Sequence, residues 1–254
     1  NNTISECLIS GIFLENFNLF KEQNLNNIYE NHISLCGIGI NSLRDNASSI
    51  HDNTIEAVAV GIGLERSKDT SILQNRIAVD VIGIWFLSSS SDNVSFNSIS
   101  SLLDGLMNTG ISTESSLSSS SDNVSFNSIS GLLDGRVNTG ISTESGHSLF
   151  PPGNVTAENN WWGSNDDPRS QIKGPNVDYT PYLVLSVDAN PEKIYDFAPL
   201  NTSKITADLC HDSAGNYHDP QHGHVPDGMP VAFEIANIPH VGTLNPLEPP
   251  TSSG

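Results

Sequence analysis

Over the first half of the chain, isoleucine or valine recurs in one frame, Ile/Val-x-x-Asn-x-Ile. It reads Ile28/Asn31/Ile33, Ile50/Asn53/Ile55, Ile72/Asn75/Ile77, Val94/Asn97/Ile99 and Val124/Asn127/Ile129. The asparagines step by 22, 22, 22 and 30 residues, and Asn2 precedes the series by 29. Gly-Ile follows at a fixed distance in three units, as Gly39-Ile40, Gly61-Ile62 and Gly83-Ile84. Ile55, Ala57 and Ala59 alternate with outward residues, as do Ile77, Val79 and Val81. That is the period of a strand, in segments too short for helices. A repeat near 22 residues marks a solenoid. The pattern predicts an all-β fold, a right-handed parallel β-helix in which three short strands and three bends make one coil. Successive coils pair in parallel roughly 4.8 Å apart, and inward Ile and Val bury their surface only against neighbouring coils. Asparagine suits the bends because it tolerates the left-handed conformation and can hydrogen-bond to its equivalents above and below.

Residues 87–115 and 117–145 match at 26 of 29 positions, differing at Ser101/Gly131, Leu106/Arg136 and Met107/Val137. A solenoid accepts a duplicated coil because each coil touches only its neighbours. The extra eight residues in each copy are expected to bulge around Leu103-Asp104-Gly105 and Leu133-Asp134-Gly135.

Composition divides the chain. All 14 prolines lie after residue 150, so the reading is a β-helix over 1–163, a helix-end segment over 164–183 and a second domain over 184–254. A net charge of −19 with ten Lys and Arg argues against nucleic acid or an anionic membrane as partner, since both need basic surface. The longest apolar run, residues 57–64, has eight residues, far short of the roughly 18 to 20 of a membrane span. The chain opens within the repeat, without an initiator Met or a signal peptide, and is read as a piece of a longer protein. Three cysteines (Cys7, Cys36, Cys210) match no zinc spacing and make no disulfide scaffold. Asn1, Asn46, Asn93, Asn123, Asn154 and Asn201 each begin Asn-X-Ser/Thr, candidate glycosylation sites that favour an exported protein.

Asn159-Asn160-Trp161-Trp162-Gly163-Ser164-Asn165, then Asp178-Tyr179-Thr180-Pro181-Tyr182-Leu183 and Asn190-Pro191, closely resembles the segment that ends β-helices in adhesin-like surface proteins of methanogenic archaea. In that family invasin/intimin-type immunoglobulin-like modules follow the helix. Residues 203–209, 226–233 and 242–244 resemble the start of such a module. A sandwich of this kind needs about 100 residues and seven strands, whereas 184–254 holds 71 residues. The resemblance therefore implies an incomplete module, with strands near 205–209 and 231–235, continued by further chain or completed by another subunit.

Several residues are candidates for chemistry. Glu56, Arg76 and Asp80 are expected to share one outward patch, with Glu56 and Asp80 roughly 8 Å apart by strand spacing, a separation suited to inverting glycoside hydrolysis. Charged residues on a solvated strand face are the ordinary alternative. Cys36 is placed in the outward column with Val58 and Asp80. Cys7 and Cys36 become neighbours on adjacent coils if the register holds, close enough for a disulfide. His218, His222 and His224, near Asp212, Asp219 and Asp227, carry imidazole and carboxylate at metal-binding spacing, against the reading of a solvated loop. Trp161 and Trp162 close the apolar column or offer a sugar-stacking platform. Asp166 and Asp167 read as a turn before Pro168 or as calcium ligands.

The resulting expectation is an extracellular, adhesin-like cell-surface protein, non-catalytic and without a cofactor. Its β-helix acts as a stalk or as a binding surface for glycans or cell-surface proteins. Two other classes stand beside it. One is a structural subunit of an envelope or filament that self-assembles through its C-terminal module. The other is a polysaccharide lyase or hydrolase acting on the β-helix face.

Overall fold

The computed structural model describes residues 2–16, 25–102, 109–114, 121–130, 139–143, 154–194, 202–228, 231 and 233. The expected bulges at 103–105 and 133–135 lie outside them.

The strands of the repeat region stack into three parallel faces, as the period requires. The first face follows each repeat asparagine: Thr3–Ser5, residues 32–36, residues 54–57, Arg76–Val79, Ser98–Ser101 and Ser128–Ile129. The second holds Ser10–Glu15, residues 38–43, residues 60–65, Ile82–Leu87, Thr109–Glu114, Thr139–Ser142 and Ile172–Lys173. The third runs Asn27–Tyr29, Ser49–His51, Ser71–Leu73, Asn93–Ser95, Ser121–Ser125, Asn154–Thr156 and Val177–Asp178. This is a parallel β-helix.

Ile33, Ile55, Ile77, Ile99 and Ile129 are paired in register and fully buried. With Ile40, Ile62, Ile84, Ile111 and Ile141 from the second face and Ile28, Ile50, Ile72, Val94, Val124 and Val155 from the third, they form one continuous core. Glycine lets the faces approach. A Cβ built on Gly110 would lie 2.7 Å from Cγ2 of Ile129, and one on Gly140 would lie 2.5 Å from the Trp162 ring. Trp162, 2% exposed, thus takes the place of isoleucine and ends the apolar column.

A side-chain ladder runs the length of the helix at one bend. Nδ2 of Asn2, Asn31, Asn53, Asn75, Asn97 and Asn127 each donates at 3.0 Å to Oδ1 of the next repeat asparagine, the last acceptor being Asn160. Each buried amide also donates to backbone carbonyls, as Asn75 does to Ile50 and Leu73 at 2.9 and 3.0 Å. The left-handed backbone, expected at the asparagine, sits one residue earlier: Glu30, Asp52, Gln74, Phe96, Phe126 and Asn159 have φ between 52° and 60°. That turn aims the asparagine inward, where its amide meets carbonyls that water does not reach.

Two further expectations change. Cys36 belongs to the core, not to the outward column. Leu35 adopts φ 53° and forms a bulge, so Cys36 pairs with Ala57 and is fully buried while Leu35 is 62% exposed. The boundary at residue 163 also moves. Ile172–Lys173 pairs with residues 141–142 and Val177–Asp178 with residues 155–156, so the segment expected as a connector carries both faces forward by another coil.

Beyond the β-helix, Leu183–Asn190 and Lys204–Asp212 form an antiparallel hairpin. The first strand near 205–209 is therefore present, whereas of the second, near 231–235, only Val231 and Phe233 are described. Leu183, Leu209 and Val225 pack with Leu185, Phe126 and Trp161 into a second, smaller core. Phe126 stacks on Phe96 with ring centroids 5.8 Å apart and meets His218 edge-on at 5.6 Å. In this bend column the earlier coils carry Glu30, Asp52 and Gln74; the two coils with phenylalanine instead receive the hairpin's apolar side.

Candidate functional site

Docking of the C-terminal region builds a concave site. The loop 220–227 lies over the first face of the β-helix, and a cleft of about 570 Å³ opens between them. Gln74, Asn75, Arg76, Phe96 and Ser98 form its floor; Pro220, Gln221, His222, Gly223, His224, Pro226 and Asp227 form its wall. Local bonds shape the loop. Asp219 caps the short 3-10 turn Pro220–His222 by accepting from the Gln221 N–H at 2.9 Å. Gly223, at φ 140°, lies so close to Phe96 that an added Cβ would fall 2.7 Å from the ring.

Arg76 is the electrostatic centre of this cleft. Its guanidinium is exposed and makes no ion pair among the described residues. The other arginines among the described residues pair with carboxylates: Arg44 with Glu15 at 3.6 Å, Arg66 with Glu65 at 3.8 Å and Arg169 with Asp167 at 4.0 Å. An open cation flanked by His222, His224, two glutamines and an aromatic edge can take an anionic, hydroxyl-bearing ligand. Asp227 sits at the rim, 3.8 Å from Nδ1 of His224.

The acidic candidates lie on the β-helix itself. Glu56 lies half-buried in mid-strand, in register with Ala78. Asp80 falls in the bend after its strand, its Oδ1 buried without a hydrogen-bond partner. Arg76 pairs with Thr54 and Ala78 with Glu56, so the strand register is the one expected for the patch, with Asp80 in the bend two residues past Ala78.

Among the described residues the three histidines expected as metal ligands form no group that could hold a metal ion. His218 Nε2 lies 2.9 Å from Asp212 Oδ2, His224 Nδ1 lies 2.7 Å from the Val225 carbonyl, and the His222 side chain is 86% exposed. Asp167 caps the 3-10 turn Pro168–Gln171, accepting from the Arg169 N–H at 2.9 Å, which is the turn reading of that pair. Of the sequon asparagines, Asn154 is exposed, Asn46 is partly buried, and Asn123 donates to Asn93 Oδ1 at 3.0 Å. Asn1 and Asn201 lie outside the described residues.

A pair of carboxyls escaped sequence reading. Ser48, Thr70, Asp92 and Asp122 occupy equivalent inward positions at another bend. The Thr70 N–H donates to Asp92 Oδ1 at 2.8 Å and the Asp92 N–H to Asp122 Oδ1 at 3.2 Å, while both Oδ2 atoms are buried without a partner. Burial pushes the Asp92 carboxyl up to about 8, against the Thr70 N–H and helped by the charges of Asp122 and Asp69. Burial likewise raises Asp122 to about 6, opposed by the N–H groups of Asp92 and Ser91. The signal was available in the 22- and 30-residue offsets that link Thr70, Asp92 and Asp122.

Residues 1–100 match the family model described as periplasmic copper-binding protein (NosD), a family of parallel β-helix proteins. The match covers less than half of the chain. No curated protein and no solved structure matches it. A copper ion would need imidazole or thiolate donors free to converge on it. His51 has both ring nitrogens engaged, with Asp52 at 2.7 Å and Asn27 at 2.8 Å, and its ring stacks on Tyr29. Among the described residues no group of three or more His, Cys, Asp or Glu is gathered to hold a metal. Among the described residues of the matched segment the donor set does not fit a copper centre.

Proposed function

We propose that this chain is part of an extracytoplasmic, adhesin-like surface protein whose β-helix is a non-catalytic binding surface, and that the Arg76 cleft takes acidic saccharides. The observation that carries the ligand class is the open Arg76 guanidinium in a concave site with hydrogen-bonding side chains, in a chain whose net charge is −19. An isolated cation on so acidic a protein favours a single carboxylate or sulfate group, with His222, Gln221 and Gln74 available to hydroxyls. Three observations support the extracytoplasmic placement: the family description of residues 1–100, the sequons, and the resemblance of the Asn-Asn-Trp-Trp-Gly junction to archaeal surface adhesins.

Calorimetric titration with uronate-containing and neutral oligosaccharides tests the reading. Acidic oligomers should bind, with affinity falling as salt rises, and Arg76→Ala should weaken them about tenfold or more. Equal affinity for neutral sugars, or no effect of Arg76→Ala, would remove the cleft as the site. Release of reducing ends or unsaturated products would overturn the non-catalytic assignment.

A further inference from the structure

The first two coils place two thiols side by side. Thr3, Ile4 and Ser5 pair with His32, Ile33 and Ser34 in parallel register, and the pairing continues through the bulge. The Glu6 N–H donates to the Ser34 carbonyl at 3.2 Å, and the Gly37 N–H to the Cys7 carbonyl at 3.3 Å. Glu6 and Leu35 are both left-handed, at φ 58° and 53°, so Cys7 and Cys36 leave equivalent bulges in the same direction. Each thiol points back along its own strand, Cys7 Sγ lying 3.7 Å from the Ser5 carbonyl and Cys36 Sγ 3.3 Å from that of Ser34. Stacked positions on adjacent parallel strands are about 4.8 Å apart, inside the roughly 4.4–6.8 Å that a disulfide spans between Cα atoms. Both cysteines are free here. Cys36 is fully buried and Cys7 is partly exposed.

From this arrangement we infer that Cys7 and Cys36 are the two halves of an inter-coil disulfide that fastens the first coil to the second. The oxidant is a small-molecule or protein disulfide. The accessible Cys7 thiolate attacks it, forming a mixed disulfide and releasing one thiol. The Cys36 thiolate then attacks Cys7 Sγ and releases the second. Two protein thiols are oxidised, one external disulfide is reduced to two thiols, and the two protein protons pass to those leaving thiolates. The fold gives this bond a purpose. A covalent tie between stacked coils adds to the backbone pairing and packing that join each coil only to its neighbours. Cys210 takes no part, being in the hairpin strand Lys204–Asp212.

The test uses the full chain in mixtures of oxidised and reduced glutathione, quenched by acid, alkylated and digested without reductant. The expected product is one cross-linked peptide pair joining Cys7 to Cys36, lighter by two hydrogens, with Cys210 alkylated. Its melting temperature should exceed that of the reduced chain, and reductant should reverse the gain. Cys7→Ser should abolish both effects and Cys210→Ser neither. Cys36→Ser places a hydroxyl in the core and can unfold that coil, so the Cys7 variant decides. A glutathione adduct that persists on Cys7 with Cys36 still alkylatable, or a cross-link through Cys210, would overturn the assignment.

Discussion

A Cβ placed on Gly61 would overlap Cγ2 of Ile77 on the next coil and lie 2.6 Å from the Gly83 carbonyl. The glycine column and the isoleucine column are therefore one packing unit: the absent side chain on one face makes room for the branched side chain of the other. Gly61→Ala should destabilise the β-helix by about 1 to 3 kcal/mol as an overpacked site, and Ile77→Ala by about 2 to 5 kcal/mol as a cavity. Because the two residues touch, the double variant should cost less than the sum of the singles. Urea denaturation of the four proteins measures this. Strict additivity would show that the columns do not interlock.

The asparagine ladder makes a sharper demand on chemistry than on shape. Asn75 donates to Asn97 Oδ1 and to two carbonyls, and accepts from the N–H and Nδ2 of Asn53. Asn75→Asp keeps the shape but removes the donor, leaving buried carbonyls unpaired at about 1 to 3 kcal/mol each. The substitution should lower the melting temperature near neutral pH and do so less in acid, where the carboxylic acid can donate. A pH-independent loss would mean that shape alone matters at this bend.

Asp92 and Asp122 should make the β-helix less stable as pH rises. Each binds a proton more tightly when folded, Asp92 up to about 8 and Asp122 up to about 6, against 3.8 when unfolded. The native state therefore holds extra protons above 3.8. Stability from this pair is complete below that value and falls as pH climbs through about 6 and then about 8. Asp92→Asn retains an acceptor for the Thr70 N–H without a charge, so it should flatten the decline. Urea midpoints between about pH 5 and about pH 9 test this. A wild-type midpoint that does not fall over that range would contradict it.

The docked hairpin should respond to acid in the opposite sense. Burial would raise the Asp212 carboxyl, but Asn216, His218 and the Ala214 N–H outweigh it and hold the group at about 2. Its contribution is present above 3.8 and is lost as pH falls towards about 2. Phe126→Ala removes the ring between the β-helix and His218 and should cost about 1.5 to 3 kcal/mol at this contact. Limited proteolysis of the hairpin, in acid or in that variant, should speed up while the β-helix stays protected. Unchanged cleavage would place the docking energy elsewhere.

The repeat was legible in the sequence because a solenoid is built from nearest-neighbour contacts, so one period dictates every coil. The isoleucine stack, the asparagine ladder and Trp162 as its end piece could all be read from spacing and residue type. The ladder's last member was hidden by a 33-residue step from Asn127 to Asn160, which the 22-residue frame does not reach. The buried Asp92–Asp122 pair was missed for another reason: aspartate next to serine runs reads as polar surface until the bend turns it inward.

By itself, then, the sequence determined that this chain forms parallel strands with one stacked apolar interior, since alternation and period are local properties. Tertiary structure decided which residues leave that rule. The left-handed backbone at Glu6 and Leu35 puts Cys7 and Cys36 in adjacent bulges, although simple alternation sends Cys36 to solvent. The packing of Leu209 and Val225 with Phe126 and Trp161 brings loop 220–227 over Arg76, joining residues some 150 positions apart in the chain. Periodicity encodes neither event, because a bulge depends on the sign of one φ angle and docking depends on complementarity between two distant surfaces.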